Sequence, residues 1–157
     1  MKTQLTASES AKLIELGVSP ERASMCLLNL DYDGEVIPCE DVWEENGRLL
    51  ANVNDEVIDV DRKIVTKDSD FDHSYANDNP IFTLGDILDI LPKEVKRSNY
   101  NSYTFSIVAD NHYWNVEYRY WRGDYAENDT LALFESEELI DALYSLLLWC
   151  LEKGYVK

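Results

Sequence analysis

The fold is decided by residues 135–155, which read ESEELIDALYSLLLWCLEKGY. Apolar residues recur here at helical spacing and form one broad stripe, as in an amphipathic helix that packs on a core. The stripe consists of Leu139, Ile140, Leu143, Leu146, Leu147, Cys150 and Leu151. Ser136 is a preferred N-cap residue, and Gly154 stands where a helix commonly ends in a left-handed glycine. The pattern predicts a helix over residues 137–153 that packs along a sheet.

Two apolar residues of this helix lie outside the stripe. At roughly 100° per residue, Trp149 falls among the polar positions and Leu148 lies at their edge. Either another segment of the chain covers them, or they contact a protein partner or a second copy of the chain. Tryptophan is enriched in interface anchors, which supports the contact hypothesis.

Composition predicts one domain in a reducing compartment. The chain has 157 residues and three cysteines, Cys26, Cys39 and Cys150, which share no CxxC spacing. No apolar run follows Met1 and Lys2, so no signal peptide is expected. We therefore expect a cytoplasmic protein.

The net charge of −17 bears directly on the partners. Residues 31–80 contain 15 acidic and 4 basic residues, which gives this segment a charge of −11. Such a charge repels nucleic-acid phosphates and anionic membranes, and it favours a basic protein partner or cations. An acidic mimic of DNA is a narrower form of the same idea.

The first half of the chain predicts a helical hairpin followed by an acidic, β-rich part. Residues 6–16 have the capping-box spacing of Thr6 and Glu9, and Pro20 favours a second short turn of helix. Residues 25–39 read as a hairpin around Asp33-Gly34, with Pro38 restricting the second arm to a sheet edge. Two further apolar runs within residues 48–65 are candidate strands.

The second half predicts a helix, a meander and the C-terminal helix. Residues 82–91 form an apolar stripe that ends at Pro92. Residues 102–109 and 112–121 alternate as strands, and residues 131–134 form a third. The expected fold is α+β with two layers, in which an antiparallel β-meander packs against the long C-terminal helix beside an N-terminal helical hairpin. Residues 1–80 and 81–157 are the two parts of this single domain.

One segment has the spacing of a calcium-binding loop. Residues 29–40 place oxygen ligands at alternate early positions, a glycine at the sixth and an acid at the twelfth, as an EF-hand requires. The candidate ligands are Asn29, Asp31, Asp33, Glu35 and Glu40. Asn29 replaces the usual aspartate, and no exit helix follows Glu40, so a coincidental match on an acidic hairpin is the competing interpretation.

Catalytic patterns are lacking. The two histidines, His73 and His112, lie far apart, and the sequence has no Walker loop, GxGxxG or HExxH motif. The aromatic run at residues 113–122 resembles a stacking platform for single strands, but its acids offset its two arginines and cross-strand packing explains the aromatics. An enzyme of unknown type stays only as a further alternative.

Both ends of the chain carry a family resemblance. The segments TASESAKLIELGVSPERASM and TLGDILDILPKEV, the aromatic hairpin and the closing SEELIDALYSLLLWCLEKG resemble small uncharacterised proteins of gut Bacteroidetes and of their phages or mobile elements. The resemblance implies a cytoplasmic, phage-related protein, and it assigns no activity or site residue. Together with the charge, it leads to the hypothesis of a non-enzymatic protein–protein interaction module. Calcium binding through residues 29–40 is the alternative.

Overall fold

The computed structural model describes residues 1–27, 36–38, 42–46, 48–53, 56–60, 80–97, 102–120 and 129–156. Its helices are α1 (Ala7–Glu15), α2 (Leu84–Ile90) and α3 (Leu139–Lys153), with a 3-10 turn at Pro20–Arg22. Its strands are β1 (Met25–Leu27), β2 (Val36–Pro38), β3 (Val42–Glu45), β4 (Arg48–Val53), β5 (Glu56–Val60), β6 (Pro80–Ile81), β7 (Glu94–Lys96), β8 (Ser102–Asp110), β9 (Tyr113–Tyr120) and β10 (Asp129–Ser136).

The chain divides into two compact units. The C-terminal unit joins Met1–Leu5 to Leu84–Lys157, and the N-terminal unit is Thr6–Thr83. In the C-terminal unit, the strands form an antiparallel sheet in the order β10-β9-β8-β7, and α3 packs against β9, β10 and α2. The predicted α+β class and the packing of a C-terminal helix on an antiparallel meander are confirmed.

The buried side of α3 follows the predicted stripe closely. Its buried residues are Leu139, Ile140, Ala142, Leu143, Leu146, Leu147 and Cys150. At roughly 1.5–3 kcal/mol for each large aliphatic side chain, this stripe contributes on the order of 10 kcal/mol before conformational entropy is subtracted. Gly154 ends the helix with φ 79°, which confirms the predicted left-handed glycine. The Tyr155 N–H donates to the carbonyl of Cys150 at 2.9 Å.

The start of α3 differs from the prediction. Ser136 is the last residue of β10, where it pairs with Trp114, and Glu138 occupies the N-cap position instead. The Ser136 hydroxyl accepts a hydrogen bond from the Glu138 N–H at 3.2 Å. Sheet pairing therefore holds Ser136 in the strand, and its side chain orders the two-residue link between strand and helix.

The sheet of the C-terminal unit has one strand more than the predicted three. Three residues, Glu94–Lys96, pair with Thr104–Ser102 at the start of β8. Their side chains fit the sheet because Val95 is buried whereas Glu94 and Lys96 are exposed. A run of three residues between charged neighbours is too short to show alternation in the sequence.

The N-terminal unit begins with the predicted capping box. The Thr6 hydroxyl accepts from the Glu9 N–H at 3.1 Å, and the Glu9 carboxylate accepts from the Thr6 N–H at 2.8 Å. Gly17 adopts φ 104° just after α1. The second arm of the predicted helical hairpin is the single 3-10 turn at Pro20–Arg22.

Two small antiparallel sheets complete the N-terminal unit, in the orders β2-β1-β6 and β3-β4-β5. β1 and β2 pair antiparallel, as the arms of the predicted hairpin do, and Pro38 lies in an edge strand as expected. The register pairs Leu27 with Val36, whereas an unbroken hairpin with a two-residue turn at Asp33-Gly34 would pair Leu27 with Glu40. The expected turn at Asp33-Gly34 lies outside the described residues. β4 and β5 pair from Val53 with Glu56. The turn expected at Asn54-Asp55 lies outside the described residues. β3 was not predicted.

Candidate functional site

The predicted calcium ligands Asn29, Asp31, Asp33, Glu35 and Glu40 lie outside the described residues. Within the described ranges, no cluster of three or more His, Cys, Asp or Glu side chains is arranged to hold a metal ion. Calcium binding stays a prediction, and the melting temperature with and without millimolar calcium checks it.

Leu148 and Trp149 are both half-buried on α3. The Trp149 ring packs between two tyrosines, with ring centroids 6.2 Å from Tyr118 of β9 and 5.3 Å from Tyr155 after the helix. These contacts within the unit account for an aromatic side chain at a position that the helical pattern assigns to the polar side. A partner contact at Leu148 and Trp149 stays a prediction.

A short chain of polar atoms lies beneath Trp149. The Cys150 thiol donates to the Tyr118 hydroxyl at 3.7 Å, and that hydroxyl donates to the Pro92 carbonyl at 2.7 Å. Burial raises the pKa of the Cys150 thiol to about 11 and raises the pKa of Tyr118 above its ordinary value. A thiol that stays protonated is a poor nucleophile, so this cluster is structural.

The helix α3 covers one face of the sheet in the C-terminal unit. The pairing register places Tyr103, Val116 and Tyr118 on the face beneath α3, and all three are buried. Side chains on the opposite face, which we call the open face, belong to even-numbered residues of β8 and odd-numbered residues of β9. Leu133 and Glu135 of β10 share the open face, since they pair with Glu117 and Asn115.

Three large apolar side chains stand on the open face. Leu133 is 52% exposed, Tyr113 is 48% exposed and Val108 is 46% exposed. A sheet face in contact with water normally carries polar residues. We call these three residues the apolar patch. By the register, Tyr113 is a diagonal neighbour of Val108, and Leu133 lies on the far side of β9 from Val108. Several exposed apolar residues on one sheet face indicate a contact surface.

The centre of the open face is a fixed ion pair. Glu117 is only 2% exposed, and both of its carboxylate oxygens lie near the Arg119 guanidinium, at 3.0 and 3.1 Å. The Ser106 hydroxyl also donates to this carboxylate, at 3.2 Å. Because both oxygens are engaged, Glu117 gives the open face rigidity rather than a reactive carboxylate.

The rim of the apolar patch is acidic. Asp110 pairs with Tyr113, Glu135 lies across Asn115 from Val108, and both acids are exposed. Exposed apolar side chains next to charged ones are common in protein–protein interfaces. The open face is therefore suited to contact with another protein, with a preference for positively charged groups beside the apolar side chains.

The apolar patch was not predicted, although the sequence carries a signal of it. The alternation in residues 102–121 assigned Tyr103, Phe105 and Ile107 to one face, which is the face beneath α3. Val108 and Tyr113 are then apolar residues at positions where a solvated face calls for polar ones. That inconsistency was the available indication of a contact surface.

Comparison of this α+β chain with protein-family models, curated proteins and solved structures finds no match. In the part of the chain that the structure describes, no helix has the length and apolar content needed to span a membrane.

Proposed function

We propose that the protein is a non-enzymatic protein–protein interaction module whose open face binds a basic partner protein. One observation carries the proposal: three exposed apolar side chains share a sheet face whose rim is acidic. The origin in a phage or mobile element, which the sequence resemblance implies, is part of the same proposal.

The patch residues suit this role in chemistry and in placement. Tyrosine is among the residues that contribute most to binding when they become buried, and Tyr113 lies at the end of β9 with its ring exposed. Leu133 and Val108 lie on strands at opposite sides of β9, so the patch extends across three strands. The ion pair of Glu117 and Arg119 keeps the surface between them in one conformation, which limits the entropy lost on binding.

The overall charge supports a basic partner. At −17, the protein attracts a positively charged surface over a range set by the Debye length, roughly 8 Å at physiological salt. Such attraction raises association rates and decreases as salt is added. Asp110 and Glu135 place part of that charge beside the apolar patch, so steering and docking act on the same face.

The test is capture with matched variants. We compare the proteins captured by three immobilised forms of the chain at low and moderate salt. The three forms are wild type, the double variant Leu133→Ala/Tyr113→Ala and the control Leu16→Ala. Leu16 is also an exposed leucine, but it caps α1 in the N-terminal unit. Captured proteins are identified by mass spectrometry, and the leading one is purified and titrated against all three proteins by calorimetry.

The proposal requires a basic protein that binds wild type and the Leu16→Ala variant equally. Its affinity for the double patch variant should be at least ~10-fold lower, because a tyrosine and a leucine that become buried on binding each contribute on the order of 1 kcal/mol or more. Equal affinity for all three proteins, or a purified partner with no excess of positive charge, would refute it.

A further inference from the structure

The strand β8 is only partly paired on one of its sides. β7 pairs with residues 102–104, and the Phe105 N–H donates to the Lys93 carbonyl at 3.0 Å. Beyond that point, residues 106–110 pair with no described strand on the β7 side, although they pair with β9 along their whole length on the other. Four consecutive residues of this stretch, residues 107–110, are exposed.

Side chains of this stretch are exposed on both faces of the sheet. Ile107 points to the face beneath α3 and is 37% exposed, whereas Val108 points to the open face. Natural edge strands are commonly protected by proline, lysine, a bulge or a very short length. Residues 106–110 read SIVAD, with none of the protective residue types except a single acid at the end. The other edge strand, β10, has a register irregularity between Thr130 and Ala132.

The open edge is complementary to itself. Antiparallel pairing of two copies about Val108 sets Val108 opposite Val108, Ile107 opposite Ala109, and Ser106 opposite Asp110. Each bulky side chain next to the centre then faces a small one, and each carboxylate faces a hydroxyl instead of another carboxylate. Moving the centre of pairing to Ser106 or to Asp110 leaves only the central residue of this stretch paired with its own copy and, in the second case, sets two carboxylates opposite each other.

We propose that a second copy of the chain pairs with this edge, so that two four-stranded sheets join antiparallel through residues 106–110 with Val108 on the two-fold axis. The open edge and its self-complementarity support this dimer, which goes beyond the proposed binding of a basic partner. Five paired residues on each chain make a small interface, so the dimer is in exchange with monomer and its fraction rises with protein concentration.

The charge of each copy sets the salt dependence. Two chains of −17 repel each other, and added salt screens that repulsion. Dimerisation therefore strengthens as salt rises, which is opposite to the behaviour expected for a basic partner. Because salt strengthens the dimer and weakens binding of a basic partner, the two proposals can fail independently and their failures can be told apart.

Light scattering coupled to size-exclusion chromatography tests the inference over a range of concentrations and at two salt levels. Wild type, Val108→Lys and the control Leu133→Lys are compared. Both substitutions place a lysine at an exposed apolar position of the open face, but only the first opposes two ammonium groups across the two-fold axis. We expect Val108→Lys to weaken dimerisation ~10-fold or more and Leu133→Lys to leave it near the wild-type value.

Cross-linking gives a second measurement that does not depend on weakening a fold. Directly opposed Cα atoms in an antiparallel pair are roughly 4.5–5.5 Å apart, which is within the range of a disulfide. Under mild oxidation, Val108→Cys should give a disulfide-linked dimer, while Leu133→Cys and wild type should not. A monomer at all concentrations and salts, or equal cross-linking of the two cysteine variants, would overturn the inference.

Discussion

The Tyr118 hydroxyl joins three elements of the C-terminal unit, and its removal is a sharp test of the packing described above. It receives a hydrogen bond from Cys150 of α3 and donates one to the Pro92 carbonyl, which lies between α2 and β7. Replacement by phenylalanine removes one oxygen and keeps the ring, which contacts Phe105 and Trp149. Tyr118→Phe therefore isolates the polar contribution from the packing contribution.

The magnitude follows from burial. Tyr118 has no exposed surface, and its bond to Pro92 is 2.7 Å long. A neutral hydrogen bond contributes about 0.5–1.5 kcal/mol, and an acceptor left unpaired costs about 1–3 kcal/mol when buried. Pro92 is only half-buried, so water reaches part of its surface. We therefore expect the free energy of unfolding to fall by about 1–2 kcal/mol.

Urea denaturation followed by circular dichroism measures this change against a matched control. Tyr113→Phe removes the same oxygen from the same strand, but Tyr113 is exposed on the open face. Its hydroxyl exchanges with water in both states, so we expect a change within about 0.5 kcal/mol. Equal destabilisation by the two substitutions, or none by Tyr118→Phe, would show that the hydroxyl does not hold α3, α2 and the sheet together.

Three further predictions concern the pH dependence, the glycines Gly154 and Gly85, and the N-cap of α1. Burial raises the pKa of Cys150 from 9.0 to about 11, so the thiol of the unfolded chain ionises at a lower pH than that of the folded chain. The free energy of unfolding should therefore be unchanged below pH 9 and fall by roughly 2–3 kcal/mol by pH 11, as measured by urea denaturation. Gly154→Ala should lower the free energy of unfolding by about 1 kcal/mol because φ is 79°, although a Cβ there meets no atom within 4 Å. Gly85→Ala, at an exposed position of α2, should raise the free energy of unfolding by about 0.5–1 kcal/mol. Thr6→Ala removes the N-cap oxygen of α1 and should cost about 1 kcal/mol in the same measurement.

Each of these predictions has an outcome that contradicts it. A Cys150→Ala protein that loses as much stability as wild type between pH 9 and 11 would assign the alkaline loss to other groups, such as Tyr118. An equal decrease in the free energy of unfolding for alanine at Gly154 and at Gly85 would show that the left-handed conformation of Gly154 is not the cause. If Glu9→Ala lowers the free energy of unfolding and Thr6→Ala does not, the Thr6 hydroxyl does not stabilise α1, and the prediction for Thr6 is wrong.

The C-terminal half was predictable because several independent signals agree there. The stripe of α3, the left-handed glycine at Gly154 and the alternation of residues 102–121 all specify the same two layers. The helix start was wrong because a serine before two glutamates is a strong local N-cap signal, and long-range pairing with Trp114 overrode it. Local chemistry identifies candidate boundaries, but the sheet decides which candidate is used.

The missed strand β3 had a sequence signal that the apolar pattern concealed. Glu45 pairs with Arg48, which leaves two residues, Asn46 and Gly47, to connect β3 and β4. Asn46 adopts φ 52°, as the first residue of such a turn requires. Asn-Gly is the strongest short hairpin signal, yet the first arm, VWEE, has too few apolar residues to alternate visibly.

The open face could be predicted only in part, for a physical reason. Alternation assigns residues to two faces, but it does not say which face a helix will cover when both carry apolar side chains. Tyr118 and Val116 are buried because α3 packs on their face of the sheet. Val108 and Leu133 are exposed because they lie on the opposite face. The edge at residues 106–110, which pairs with no described strand on the β7 side, depends on where β7 ends. The three residues of β7, between charged neighbours, do not show that in the sequence.

Val108 belongs both to the apolar patch and to the proposed dimer edge, so the two proposals are coupled by geometry. A two-fold axis perpendicular to the sheet leaves both open faces on the same side, with Val108 of each copy at the junction. Partner surface that spans the junction then contacts two patches at once, and linked contacts bind more tightly than either alone. Salt acts on the two steps in opposite directions, because it screens the repulsion between copies and the attraction of a basic partner. Capture of the partner should therefore be strongest at an intermediate salt concentration for wild type, and should decline steadily with salt for Val108→Lys, whose dimer is weakened. A steady decline for both proteins would mean that binding does not depend on the joined sheets.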